Sequence, residues 1–253
     1  MPVVVYQMGK VGSMALVASL ERQGVRPVYH VHAMNPAGER PQQAARVAYE
    51  EIVLAQRPAK FITLVRETIA RNVSAFFQEE NFVRHTGRRF AEFGGSLEEL
   101  ARVFGSKLRH MSVFPLTWFD RQVKEVLGID VYAEPFDQAR GFVRLSQGVH
   151  ELLVLKSELD DRSKAAAVAT FLNLDGFEIE RANVGGQKAY AEAYRRFRES
   201  VRLPEAYIEG MLSSRHMRHF YSEPEIERFR AYWSDPGRNL PVQAGLPVGP
   251  SVV

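Results

Sequence analysis

Three short stretches of the chain hold residue types that could act on a phosphate or sulfate group. The first is Gln7-Met8-Gly9-Lys10-Val11-Gly12-Ser13-Met14. A strand that runs through glycines into a helix aims backbone N–H groups and the positive helix end at one point, which makes a cradle for an oxyanion. Lys10 adds a mobile charge and Ser13 a hydroxyl donor. The order differs from G-x-x-x-x-G-K-[ST], because here the lysine precedes the second glycine. A plain glycine turn with an exposed lysine would carry the same letters. The second stretch is Arg66-Glu67-Thr68-Ile69-Ala70-Arg71-Asn72-Val73-Ser74-Ala75-Phe76-Phe77. It offers two arginines and a serine for a second anion, or a solvated helix start. The third is Tyr29-His30-Val31-His32, whose histidines fall on one side of an extended chain. A zinc pair would suit that spacing but lacks a third ligand at any obvious distance, and histidines in ordinary core or surface positions would look the same.

These groups need elements that hold them. Pro2–Tyr6 is a short β-branched run, Ser13–Arg22 has a helical apolar face ending near Gly24, and Pro27–His32 alternates as a strand. Gln42–Gln56 is helical in pattern, Lys60–Val65 is a nearly continuous apolar strand of the buried parallel type, and Ala70–Glu79 is again helical. The order strand–helix–strand–helix–strand–helix predicts an α/β fold, a central parallel sheet flanked by helices. Arg66 then sits at the carboxyl end of a central strand, where open α/β sheets bind ligands, and Ser74 lies two turns into the next helix. Farther on, Gly94-Gly95-Ser96 reads as a loop, Leu97–Phe104 and Pro115–Leu127 as separate helices, and Ile129–Tyr132 as a short strand. Glu151–Leu155 is a core strand, Ser163–Leu172 a helix, and Tyr190–Trp233 a mostly helical third rich in Arg, Tyr and Phe. Residues 1–235 read as a single domain, followed by a Pro/Gly-rich tail, 236–253, expected to be poorly ordered.

Composition narrows the classes. With 253 residues, 45% hydrophobic and 25% charged, the chain is an ordinary globular one rather than a disordered segment. No apolar run reaches the roughly 18–20 residues of a membrane span, and no basic n-region precedes an apolar stretch at the start. The absence of cysteine removes disulfides, thiolate catalysis and Cys-ligated zinc, and makes a cytoplasmic location the expectation. A net charge of +3 is too mild for a dedicated nucleic-acid binder. The basic residues are dominated by arginine, which suits planar phosphate or sulfate recognition.

K-x-G-[ST] after a first strand, with R-x-x-x-x-R-x-x-S-x-[FY] after a later one, resembles the signature pair of sulfotransferases that use 3′-phosphoadenosine 5′-phosphosulfate (PAPS) and release adenosine 3′,5′-bisphosphate (PAP). The resemblance implies the P-loop NTPase-like fold of that family. It also implies that Gly9, Lys10, Val11, Gly12, Ser13 and Met14 hold the 5′-phosphosulfate, and that Arg66 and Ser74, with Arg71 between them, hold the 3′-phosphate. The family often has Asp-Pro after the first arginine, where this chain has Glu67-Thr68. His30-Val31-His32 is similar to the H-x-H of heparan-type 2-O-sulfotransferases, which implies His32 as the base for an acceptor hydroxyl, with His30 beside it. A near-neutral imidazole suits that task. Leu203-Pro204-Glu205 and Ser213–Ser222, with Trp233 beyond, resemble bacterial sulfotransferase-like proteins labelled for capsular polysaccharide synthesis, which implies a carbohydrate acceptor. Arg215, Arg218 and His219 form either a solvated face or an anion patch, and Asn183–Lys188 a loop that could close over a nucleotide.

Two other classes are compatible with the same letters. A kinase of similar fold would need a strand-end carboxylate for Mg²⁺. Glu67 is the candidate, while Glu158 and Asp160 arrive only after the Glu151–Leu155 strand has run on to Lys156. A non-catalytic nucleotide- or glycan-binding protein would keep the cradle without needing both Lys10 and His32. The sulfotransferase scheme itself requires no metal.

Overall fold

The computed structural model describes residues 1–35, 42–90, 96–180 and 190–242. The chain divides into two compact units, each made of two segments. Unit 1 comprises residues 1–66 and 117–182, and unit 2 residues 67–116 and 183–253.

Unit 1 is built on a five-stranded sheet. Its first strands are β1 (Val3–Tyr6), β2 (Val28–Val31) and β3 (Ala59–Val65). Helix α1 (Ser13–Arg22) follows β1, and α2 (Gln43–Ala48), extended by wide π-helical turns over Tyr49–Leu54, precedes β3. After the chain returns from unit 2, π-helical turns over Phe119–Lys124 lead into α6 (Glu125–Leu127), β4 (Phe142–Gln147), β5 (His150–Lys156) and α7 (Asp161–Leu172). The strand order is β2-β1-β3-β5-β4, parallel except for β4. The central strands carry Val4, Val5, Phe61, Ile62, Leu152 and Leu153, all without solvent exposure. Continuous apolar runs of this kind belong to strands covered on both faces.

Unit 2 is helical. It contains α3 (Thr68–Phe76), α4 (Glu79–Thr86), most of α5 (Leu97–Trp118), α8 (Ala191–Ser200), α9 (Glu205–Leu212), α10 (Arg215–Phe220) and α11 (Glu223–Trp233). Its core is aromatic: Phe76 packs on Phe77, Phe82, Phe104 and Phe197 with ring centroids 5.2–6.1 Å apart. Three of its helix starts are chemically fixed. Glu67 caps α3, Ser214 caps α10, and Ser222 with Glu225 forms a capping box on α11.

The α/β class and the parallel sheet agree with the sequence, and several details differ from it. Helix α5 is one helix with Pro115 inside it, where the proline suggests a new start. The missing N–H costs one hydrogen bond without ending the helix. Ile129–Tyr132 is a turn rather than a strand: Asp130 accepts from Tyr132 N at 3.1 Å through its side chain and from Ala133 N at 3.2 Å through its carbonyl. Strand β4 was not anticipated, because its residues are half exposed at a sheet edge and lack an apolar run. The first residues of the expected tail are held in the fold. Arg238 is buried, donating to the carbonyls of Tyr232 and Arg198, and β7 (Leu240–Pro241) pairs with β6 (Val201–Arg202). Residues 243–253 and the Asn183–Lys188 loop lie outside the described residues, as do Gly94 and Gly95. No helix among the described residues is long and apolar enough to cross a membrane.

Candidate active site

The chain leaves β1 through a loop in which Gly9, Lys10 and Gly12 all adopt left-handed φ values of 76°, 65° and 83°. For Lys10 this conformation is uncommon and costs energy that the surrounding structure must offset. Arg66 supplies part of that support. Its Nη1 donates to the Lys10 carbonyl at 2.8 Å, which draws the end of β3 onto the loop. Gly12 is the N-cap of α1, with no side-chain cap and no acidic residue in the first turn. The first N–H groups of α1 therefore face neither a capping side chain nor a local carboxylate, the condition under which a helix start attracts an anion. Val11 is buried beneath the loop, while Met14 stands 55% exposed beside it.

The histidines sit on the adjacent strand. Val5 pairs with His30 and Tyr6 with Val31, and Gln7 N donates to Val31 O at 3.1 Å, so Gln7 lies opposite His32. Alternation along both strands then puts Val5, Gln7, His30 and His32 on one face. The imidazole centroids are 4.9 Å apart, edge to face. His32 Nδ1 lies 3.0 Å from the Gln7 carbonyl, and its ring is near enough to Gly9 for a Cβ there to touch it at 3.9 Å. His30 Nε2 lies 2.9 Å from Ser13 Oγ. Burial, with the nearby His32 adding to it, lowers the His30 pKa to about 4. The end of β2 is fastened from behind: Trp118 Nε1 donates to the His32 carbonyl at 2.9 Å, and Gln122 Oε1 accepts from Met34 N at 2.9 Å.

Unit 1 thus brings together Gly9, Lys10, Val11, Gly12, Ser13, Met14, Arg66, His30 and His32. Ser13 departs from its expected part. Its side chain is only 4% exposed and its hydroxyl is engaged by Gln7 and His30, so within the cradle it offers its backbone rather than its hydroxyl. Arg71 and Ser74 stand on α3 in unit 2. Ser74 is half-buried, and Arg71 is 7% exposed, stacked on Phe114 at 4.7 Å and donating to Asn72 Oδ1 at 3.1 Å. In α10, Arg215 and Arg218 are exposed, while the half-buried His219 packs edge-on against Phe220.

Two of the carboxylates that a metal-dependent site would recruit, Glu67 and Asp160, are otherwise employed. Glu67 is buried and accepts from Ile69 N, Ala70 N and the Trp233 indole. Asp160 caps α7, accepting from the backbone and hydroxyl of Ser163. Among the described residues, no three His, Asp or Glu side chains converge as a metal set. Sequence reasoning gave Gln7 no role of its own within the first stretch. The signal was its place one alternation beyond Val5, beside the histidine strand.

Residues 101–222 match the family model NKWYS, described as "Putative capsular polysaccharide synthesis protein". The match begins in α5 and ends at Ser222, so it omits the Gly9–Met14 loop, both histidines and Arg66. No curated protein and no solved structure matches the chain.

Proposed function

We propose that this chain is a sulfotransferase that moves a sulfuryl group from PAPS to a hydroxyl of a carbohydrate. The observation that supports it best is the convergence, at the carboxyl edge of parallel strands, of a left-handed N–H loop, Lys10, Arg66 and two oriented imidazoles. A carbohydrate acceptor is supported by the capsular polysaccharide description of the matching family model.

In this reading the donor supplies the sulfuryl group, and the protein supplies position, charge and a proton acceptor. The loop N–H groups, the start of α1 and Lys10 hold the phosphosulfate, where fixed donors act on charge that grows toward the transition state. His32 takes the acceptor proton as the acceptor oxygen bonds to sulfur. The sulfur–oxygen bond to the 5′-phosphate breaks with its electron pair on the phosphate. Arg66 braces the loop. The resemblance to PAPS enzymes gives Arg66 and Ser74, with Arg71 between them, to the 3′-phosphate.

Calorimetry with PAP, 5′-AMP and ATP–Mg²⁺ tests the reading. PAP should bind much more tightly than 5′-AMP, since each charge-assisted hydrogen bond lost to a phosphate costs about 1.5–3 kcal/mol. Equal affinities would exclude a PAPS site, and preference for ATP–Mg²⁺ would move the protein to the kinases.

A further inference from the structure

The side chain of Gln7, 1% exposed, is the hub on which the polar groups of this face converge. Its Oε1 accepts from Gly9 N at 2.7 Å, and since a backbone N–H can only donate, the amide is fixed with its nitrogen turned inward. That nitrogen lies 2.9 Å from Ser13 Oγ, 3.0 Å from His30 Nε2 and 3.1 Å from His32 Nδ1. The Gln7 main chain acts as well, because its carbonyl lies 3.0 Å from His32 Nδ1.

Donor and acceptor rules narrow the arrangement of protons. His32 Nδ1 lies between an acceptor, the Gln7 carbonyl at 3.0 Å, and a donor, the Gln7 amide nitrogen at 3.1 Å. The amide has other acceptors beside it, so the hydrogen is assigned to Nδ1 and the basic nitrogen is Nε2. The amide N–H groups of Gln7 then have two acceptors left, Ser13 Oγ and His30 Nε2. A relay in which the Gln7 amide donates to Ser13 Oγ and the Ser13 hydroxyl donates to a bare His30 Nε2 at 2.9 Å satisfies each group in turn. The titratable group beside His30 is His32 on its own strand; Gln7 from β1 and Ser13 from α1 are its other polar neighbours. We infer that Gln7 is a positioning residue that fixes both imidazoles, holding His30 as a neutral acceptor bound to Ser13 and His32 with Nε2 as its basic nitrogen. The assignment of different tasks to the two histidines rests on the sulfotransferase reading, whereas the proton arrangement does not.

The consequence is a division of labour between histidines that look alike in sequence. His30 is the weaker candidate for the base, because its bare nitrogen is already hydrogen-bonded to the buried Ser13 hydroxyl. His32 is the stronger, because the nitrogen opposite its anchored N–H is the basic one.

Long-range ¹H–¹⁵N correlation spectra of the labelled full chain test this without any substrate. In the native protein both histidines should be Nδ1-protonated when neutral, and His30 should resist protonation well below the ordinary range. In Gln7→Glu, whose side chain is of nearly equal size but offers only acceptors, His30 should gain a proton at Nε2 and titrate upward. Native His30 protonated at Nε2, or a Gln7→Glu spectrum in which His30 is unmoved, would overturn the inference. The kinetic counterpart is Gln7→Leu, which should lower kcat by roughly 10–100-fold, the usual cost of removing a group that orients a histidine, with PAP affinity kept. The expected nitrogen pattern combined with no sulfuryl transfer would refute the function and leave the positioning role standing; transfer combined with the wrong pattern would do the reverse.

Discussion

Replacing Glu67 separates a structural carboxylate from a catalytic one. Glu67 is 2% exposed and accepts three hydrogen bonds, from Ile69 N at 2.5 Å, Ala70 N at 2.8 Å and Trp233 Nε1 at 3.1 Å. In Glu67→Ala the cap of α3 is lost, at about 0.5–2 kcal/mol. The Trp233 indole N–H, buried in the same unit, loses this acceptor at a further cost of about 1–3 kcal/mol. The two add to a destabilisation of about 1.5–5 kcal/mol, read as a lower midpoint in urea unfolding with an unchanged slope. Trp233→Phe removes the indole donor together with part of a ring system that is 1% exposed, so a cavity cost adds to the lost hydrogen bond. A double-mutant cycle between the two sites should return a coupling of about 1–2 kcal/mol. If Glu67→Ala unfolds within about 0.5 kcal/mol of the native chain yet abolishes turnover or metal-dependent nucleotide binding, the structural account of this carboxylate is wrong.

Four further outcomes follow from the site. His32→Ala should keep PAP affinity and lose about 10²–10⁴-fold in turnover, whereas Lys10→Ala should lose both; an active His32→Ala would move the base elsewhere. Because His30 titrates at about 4 in the fold against 6.5 when unperturbed, the unfolded chain binds the extra proton first. Stability should therefore fall as pH is lowered between those values, and His30→Asn should flatten the decline in pH-dependent urea melts. Turnover should persist in excess chelator, since the proposed charge comes from Lys10 and backbone donors; activity abolished by chelator and restored by Mg²⁺ would contradict it. Gly12→Ala should cost about 1–2 kcal/mol from its left-handed backbone alone, because an added Cβ would meet no atom within 4 Å; a loss above that range in thermal unfolding would mean the loop is held more tightly than its geometry implies.

The strands and first helices were legible because each carries its own period. Ser13–Arg22 is bounded by glycines, and Lys60–Val65 and Glu151–Leu155 are too apolar to be anything but buried strands. The loop, Arg66 and the shared face of His30 and His32 were legible for the same reason, since strand alternation is local. What stayed hidden depends on partners distant in sequence. Strand β4 exists because β5 offers it an edge. Helix α5 continues through Pro115 against the local signal. Arg71 carries the letters of an anion ligand, yet Phe114 and Asn72 engage it. Gln7 became visible only once the register of β1 against β2 set it among Ser13, His30 and His32.

The two-segment construction of each unit has a consequence in time. Strand β3 is complete at Val65, but its neighbour β5 begins at His150, roughly 85 residues later, and the span between them includes all of residues 67–116 of unit 2. At a synthesis rate of about 5–20 residues per second, the partner of β3 emerges about 4–17 seconds after it. During that interval a strand carrying Phe61, Ile62, Leu64 and Val65 presents an open hydrogen-bonding edge, the template on which foreign strands pair. The newborn chain is therefore most exposed to aggregation before its sheet can close, and any insertion between Val65 and His150 prolongs that window in proportion to its length.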